Sequence, residues 1–263
     1  MNWHARYTQQ ANWTRDLRNY LFDQVGLETA GCVLEVGCGT GAILNEIKTT
    51  SLTCTAVSHR RARGTNGGVR RKCHGLDIQP ASLMEARVHA PAASLTCGDA
   101  LSLPYQNEVF DITFCHFLLL WVSDPLSALH EMKRITQQGG HVLALAEPDY
   151  TARVDEPAEL ALLGKWQTDS LLRQGADPSL GGKLAKLFYE AEIELVETGA
   201  IESQRHDAFT TDEREMEWAV LKNDLAGFVP AEEIQRLKKL DEGAWGRGER
   251  ILHVPTYCAW GRV

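Results

Sequence analysis

The chain has 263 residues, of which 44% are hydrophobic and 24% charged, with a formal charge of -8. That composition suits one well-cored globular domain with room for a lid, and the acidic balance disfavours nucleic acid as a general partner. The longest apolar run, Phe114 to Val122, is nine residues with His116 counted in, against the roughly 20 of a membrane-spanning helix, so a soluble protein with no membrane span is expected. The first residues, MNWHARYTQQANWTRD, hold no apolar signal core. From Asn12 onward, DLRNYLFDQVG places Leu17, Tyr20, Leu21 and Val25 at helical spacing, with Gly26 as the stop. CVLEV (32–36) is a short β-branched strand leading through glycines into the helix ILNEIK. LDI (76–78) ends a second strand, and PASLMEARVHA is the helix after it, with Pro80 at its start. SLTC (94–97) and VFDITFCH (109–116) are the third and fourth strands, DPLSALHEMKRI is an amphipathic helix closed by Gln-Gln-Gly-Gly, and HVLALAE (141–147) is the fifth strand.

Strands alternating with helices at this rhythm predict an α/β fold, a doubly wound and mostly parallel sheet. Beyond residue 150 the rhythm changes. Residues 156–174 and 179–191 read as helices, IELVETGAIES as a strand, 212–226 and 230–242 as further helices, and VPTYCAWGRV as a last strand, which makes seven strands. The division expected is a helical cap over 1–30, a ligand-binding core over 31–149, helical lid segments over 150–190 and 205–247, and closing strands over 191–204 and 250–263. The lid would cover the carboxyl edge of the sheet, where ligands of such folds bind. Seven cysteines without a C-x-x-C pair fit reduced thiols and a cytoplasmic location.

EVGCGTGA (35–42) is the most informative stretch. Glycines between a strand and a helix let the backbone approach a ligand with no Cβ in the way. Gly37, Gly39 and Ala42 satisfy the dinucleotide pattern G-x-G-x-x-A, which points to NAD. Glu35, Gly37, Gly39 and Gly41 also give E-x-G-x-G-x-G. An acid ahead of the glycines favours a ligand bearing a cationic amino group over an anionic pyrophosphate. Asp77 suits ribose hydroxyls under either reading and disfavours NADP.

The second pattern resembles motif I of the class I S-adenosylmethionine (SAM)-dependent methyltransferases. CGDALSLPY (97–105) resembles their adenine loop, NEVFDITFCHFLLLW (107–121) their fourth-strand motif, and DPLSALHEMKRITQQGGHVLALAEP their helix, Gly-Gly and fifth strand. The resemblance covers roughly residues 30 to 150 and is most similar to the type 11, or ubiquinone/menaquinone-biosynthesis-like, small-molecule branch. It implies a seven-stranded Rossmann-like methyltransferase fold and SAM as cofactor, with S-adenosylhomocysteine as product. It also implies that Glu35, Gly37, Cys38, Gly39 and Gly41 line the methionine and ribose portions. Asp77 and Ile78 would meet the ribose and one adenine face, Asp99 and Ala100 the adenine edge, and His116 and Phe117 the sulfonium. Tyr7 and Trp13 of the N-terminal segment are candidates for closing the pocket. Asp111 reads as a structural hydrogen-bonding residue.

The activity implied is transfer of the SAM methyl group to a small-molecule O, N or C nucleophile by in-line displacement, with alignment as the protein's main contribution. His116 is the side chain best placed by topology as a base, and a core histidine is the competing reading, so the catalytic residue stays open. AEPDYTARVDEP (146–157), with Glu147, Tyr150 and Arg153, leads from the pocket rim into the lid. His116, Tyr150, Arg153, Trp166 and Trp218 are the candidate acceptor contacts. No metal site is expected. An NAD-dependent oxidoreductase and a non-catalytic SAM-binding protein are the alternatives.

HRRARGTNGGVRRKCH (59–74) holds six Arg and Lys residues and no acid. Asp77 lies 36 residues past Gly41, against about 20 in an ordinary unit of this kind. The stretch, within an insertion over about 50–74, accounts for most of that excess. Asn66-Gly67-Gly68 is turn chemistry, and a solvated insertion is preferred over an RNA-docking arm or a metal site of Cys54, His59, Cys73 and His74.

Overall fold

The computed structural model describes residues 2–51, 71–201 and 210–263. The basic stretch from His59 to Arg70 therefore lies outside the described residues, as do Cys54 and the segment 202–209.

The central sheet is built from Cys32–Val36 (β1), Lys72–Asp77 (β2), Ser94–Cys97 (β3), Phe110–Cys115 (β4), Thr136–Pro148 (β5), Glu194–Ile201 (β7) and Thr256–Arg262 (β9). Its order is β3-β2-β1-β4-β5-β9-β7. The first five strands pair in parallel, and β9 runs antiparallel to both β5 and β7. β1, between β2 and β4, is covered on both faces, which is why its sequence is apolar without alternation: Val33, Leu34 and Val36 are all fully buried. One apolar cluster packs Leu34, Phe110, Leu129, Met132 and Phe188, and the other packs Val33, Leu44, Phe114, Leu143 and Trp260.

The helices start and stop where the sequence supplies caps. Arg15–Gln24 (α2) is followed by Gly26 in the left-handed region, φ 65°. Pro80–His89 (α4) opens on proline, and Pro125–Ile135 (α5) opens on Pro125 with Asp124 accepting from the Ser127 N–H at 3.0 Å. Asp111 has the expected structural role, since Oδ2 accepts from the backbone N–H groups of Gly31 and Cys32, each at 2.8 Å.

Three features depart from the sequence reading. A helix over Trp3–Trp13 (α1) precedes the expected one, because its polar and aromatic residues give little apolar periodicity. β2 begins at Lys72, so the last residues of the basic stretch belong to the sheet. Cys73 is buried in one core cluster while His74 packs edge-on against Phe110 on the other face. A two-stranded ribbon, Val154–Glu156 (β6) with Ile251–His253 (β8), ties the sheet to the lid.

The remaining helices are Ala42–Ser51 (α3), Ala161–Arg173 (α6), Leu180–Glu190 (α7), Thr211–Leu225 (α8) and Ala231–Gly246 (α9). α6, α8 and α9 share their own core of Leu160, Leu163, Trp218, Leu221, Leu225 and Leu237. Beneath it a buried ion network crosses from ribbon to lid. Arg153 grips Asp155 through both Nε (2.7 Å) and a terminal nitrogen (3.0 Å), and Arg250 bridges Asp155 and Asp241, each at 2.6 Å. Among the described residues no helix is long and apolar enough to cross a membrane.

Candidate active site

The glycine turn after β1 leans on the end of β2. Gly37 and Cys38 donate their backbone N–H groups to the Leu76 carbonyl at 2.7 and 2.9 Å, and Gly39 donates to Asp77 Oδ2 at 2.8 Å. Gly37 and Gly39 have φ of 74° and 50°, a conformation that side chains resist. A Cβ at Gly37 would come within 2.7 Å of Leu118, and one at Gly39 within 3.0 Å of the Tyr7 ring. Both glycines thus leave room on the side where α1 and the loop after β4 close over the turn. Gly41 faces the other way, toward Ala86 and Ala90 of α4.

Around this turn lies a cavity of about 1370 Å³, counted with its open mouth. It brings together Tyr7, Glu35, Gly37, Cys38, Gly39, Asp77, His116 and Phe117 from α1, β1, β2 and the loop after β4. Glu35 is its most unusual group. The carboxyl is 3% exposed, and Oε2 has no hydrogen-bond partner. Burial drives its pKa well above the ordinary carboxylate range; the buried Arg18 partly offsets this, and the Asp77 charge adds to it. Cys38 is pushed up in the same way, chiefly by burial.

His116 is partly buried and lines this cavity. Its Nε2 lies 2.9 Å from Thr14 Oγ1, and burial together with the Arg18 charge lowers its pKa to about 3. It therefore stays neutral, with Nε2 engaged by Thr14, the residue that caps α1. Phe117, next in the chain, is a non-glycine residue at φ 52°. Such a conformation costs on the order of 1–2 kcal/mol and concentrates at functional sites. Glu147, expected on the rim facing an acceptor, instead points back into the protein. It is fully buried, and its two oxygens accept from the N–H groups of Leu118, Leu119 and Leu120 at 3.0, 2.9 and 3.2 Å, holding the loop after β4. Burial raises its pKa to about 7.

Ile78, Asp99 and Ala100 stand at the carboxyl ends of β2 and β3, outside the cavity lining. Ile78 is 61% exposed, Ala100 is buried, and Asp99 Oδ1 accepts from the Leu101 N–H at 2.9 Å. The Gly98 N–H donates to the Asp77 carbonyl at 3.1 Å, which sets the Asp99 loop beside Asp77.

A second chamber, of about 880 Å³, adjoins the first. Arg6, Gln10, Phe117, Pro148, Tyr150 and Gln167 line both, forming a shared wall. Trp13 and Arg153 line the chamber alone of the two, with Trp13 beneath the Arg6 guanidinium at 4.8 Å. Trp166 and Trp218 belong to the lid core and line neither space; Trp218 Nε1 donates to Asp241 at 2.8 Å. Sequence reasoning did not find Arg6, Gln10, Gln167, Glu217 or His253. They sit on α1, the lid and the ribbon, and only tertiary folding brings those elements to one place. Among the described residues no three His, Cys, Asp or Glu side chains converge to hold a metal ion.

Residues 34–144 match the family model described as "Methyltransferase domain". The chain is 30% identical over 182 residues to malonyl-[acyl-carrier protein] O-methyltransferase of Halorhodospira halophila, covering 62% of this chain and 55% of that one. It is 28% identical over 195 residues to demethylmenaquinone methyltransferase of Oceanobacillus iheyensis, covering 72% and 69%. The chain thus spans little more than half the length of the first of these relatives. Its fold is shared with a Bacillus halodurans protein assigned as a methyltransferase, at a TM-score of 0.57 and 17% identity over 93% of this chain and 97% of that one. The methyltransferase match sets SAM as the cofactor in place of the dinucleotide alternative, which the glycine turn and the acid closing β2 had both left open. Over residues 34–144 the chain thus carries a SAM-dependent methyltransferase domain, similar to those of the class I, type 11 methyltransferases.

Proposed function

We propose that the protein transfers the methyl group of SAM to a small-molecule O, N or C nucleophile by in-line displacement. The observation that carries this reading is the adjacency of the two spaces: a glycine-walled cavity with one buried carboxylate oxygen lacking a donor, sharing six wall residues with a second chamber. SAM, when bound, supplies an electrophilic methyl carbon on a sulfonium and a cationic amino group.

The residues present fit that cofactor. Glu35 Oε2 is a buried acceptor lacking a donor, which an ammonium satisfies. The space at Gly37 and Gly39 is what a Cβ would fill. Asp77 and Ile78 would meet the ribose and one adenine face, with Asp99 and Ala100 along the adenine edge and Tyr7 closing the pocket over Gly39. His116 and Phe117 would flank the sulfonium as neutral walls, which does not oppose its charge. The protein's own share of the chemistry is to orient acceptor and methyl group and to exclude water.

The relatives act, by their names, on malonyl-[acyl-carrier protein] and demethylmenaquinone. A chamber of about 880 Å³, counted with its open mouth, suits a free small molecule. The six described cysteines are free thiols, in keeping with a cytoplasmic setting.

Calorimetry with SAM, S-adenosylhomocysteine and NADH tests the cofactor, and only the first two should bind. Methyl-labelled SAM incubated with a fractionated cell extract tests the acceptor. Label should pass to small molecules; label reaching only RNA or protein, or never leaving SAM, refutes the reading.

A further inference from the structure

Arg18, on α2, lines neither space, yet its side chain is only 1% exposed. Burying a cation is costly unless its donors are satisfied, and here they reach three places in the fold. Nη1 donates to the Ala11 carbonyl of α1 at 2.7 Å and to Thr14 Oγ1 at 2.9 Å, while Nη2 pairs with Glu46 of α3. Glu46 is 31% exposed and is also met by Arg15 at 3.4 Å, so it holds the guanidinium from the solvent side.

Thr14 ends α1 and precedes α2, so Arg18 bonds the corner between the two helices. The same hydroxyl lies 2.9 Å from Nε2 of His116, on the wall of the cofactor cavity. One oxygen therefore joins guanidinium, corner and imidazole. From this corner α1 brings Arg6, Tyr7 and Gln10 to that cavity.

The charge acts alongside the bonds. Burial raises the pKa of Glu35 and lowers that of His116, and in both cases the Arg18 charge is the next influence. It favours a charged carboxylate at Glu35 and a neutral ring at His116. Those are the two states suited to an ammonium and a sulfonium. Asp77 and Glu46 oppose the ionisation of Glu35, and the thiols of Cys38 and Cys115, both pushed up chiefly by burial, lie in its field.

We infer that Arg18 is a positioning residue for methyl transfer, which through Thr14 holds the α1–α2 corner and the His116 ring at the wall of the cofactor cavity, and whose buried charge prepares Glu35 for the cofactor's ammonium. This rests on the methyl-transfer reading above and extends it to a residue that lines neither space.

The test is calorimetry on the full chain across a pH series, with two ligands. S-adenosylhomocysteine carries the ammonium; 5′-methylthioadenosine keeps the adenine and ribose and lacks the amino-acid portion. For the unsubstituted protein the first affinity should rise with pH as Glu35 ionises, and the second should stay flat. Arg18→Gln should move the midpoint of the first profile up by about one pH unit, since a nearby opposite charge is lost. Glu46→Gln removes an opposing charge and should move the same midpoint down. Thr14→Val cuts the hydrogen-bonded link with the charge in place. It should weaken S-adenosylhomocysteine by about 10-fold at an unchanged midpoint, with Thr14→Ser restoring the affinity. Arg18→Lys keeps the charge without the planar fork, and should keep the midpoint while losing affinity as Thr14→Val does.

A residue that only holds the fold would weaken both ligands alike and leave the midpoint where it was, and that result in Arg18→Gln overturns the inference. So does Thr14→Val binding as tightly as the unsubstituted protein, a Glu46→Gln midpoint that stays or rises, or an unsubstituted profile as flat as that of 5′-methylthioadenosine. If Arg18→Gln does not fold, the Thr14 and Glu46 variants still decide. Failure of the unsubstituted protein to bind S-adenosylhomocysteine at all would instead strike the methyl-transfer reading.

Discussion

The Gly39 N–H donates to Asp77 Oδ2 at 2.8 Å, joining the glycine turn to the end of the neighbouring strand across 38 residues of chain. The other carboxylate oxygen, Oδ1, accepts from the Gln79 N–H at 2.8 Å. Asp77 therefore shapes the turn as well as offering lone pairs to a ribose. Asp77→Ala should weaken SAM by about 10- to 100-fold in calorimetry and cost about 1–3 kcal/mol of unfolding free energy, since two backbone donors lose their acceptor. Asp77→Asn, which keeps one acceptor oxygen, should fall between.

Glu35 gives a proton-linked signature. Its carboxyl is held protonated to unusually high pH, mainly by burial. A bound ammonium favours the charged form, so SAM binding should release a proton and tighten as pH rises above the ordinary carboxylate range. Repeating the titration in buffers of different ionisation enthalpy should reveal that release. In Glu35→Gln it should vanish, and affinity should become independent of pH over the same range.

The buried Glu147 and the partly buried His116 shift in opposite directions, and their effects on stability partly cancel. Glu147, raised from 4.5 to about 7, contributes stability that is present below pH 4.5 and lost as pH rises to about 7, about 3 kcal/mol in all. His116, lowered from 6.5 to about 3, contributes stability that is present above pH 6.5 and lost as pH falls to about 3, about 5 kcal/mol in all. Between about pH 4.5 and 6.5 the slopes oppose each other. The denaturation midpoint should be nearly flat there and fall steeply below it. Glu147→Gln should expose the histidine slope, and His116→Gln the carboxylate slope of opposite sign.

The lid network offers a stability prediction with no ligand involved. Asp155 carries the guanidinium groups of both Arg153 and Arg250, and all three side chains are at most 5% exposed. Asp155→Ala should cost about 3–5 kcal/mol, measured by urea unfolding, because it strands buried positive charge. The loss should appear first as faster amide exchange in α6 and α9.

Much of the core was legible because local rules coincided there. The continuous apolar run of β1, the proline starts of α4 and α5 and the acid closing β2 each state a backbone condition within a few residues. Asp111 could be read as structural for the same reason. The lid and the walls could not be read that way. Arg6 meets Glu217 from 211 residues away, and β6 meets β8 across nearly a hundred. The sequence left His116 open between a base and a core histidine, since only the packed structure shows Thr14 and Arg18 beside it. Glu147 looked like a rim residue, and only the structure shows three leucine amides turned toward it.

The sheet order has a consequence for when the molecule assembles. β7 pairs with β9 alone among the described strands, and β9 lies between it and β5. Strands β1 to β5 come from one contiguous stretch, residues 32–148, and can pair before the later strands are made. β7 then waits, edge open, for a segment more than fifty residues further along. Closing so long a loop is the slow kind of step in folding. Shape is therefore acquired in two tempos, an early five-stranded half and a late three-stranded seam. The ribbon that carries His253 immediately precedes β9 in the chain, so the chamber takes form in the second tempo, after the turn that faces the cofactor.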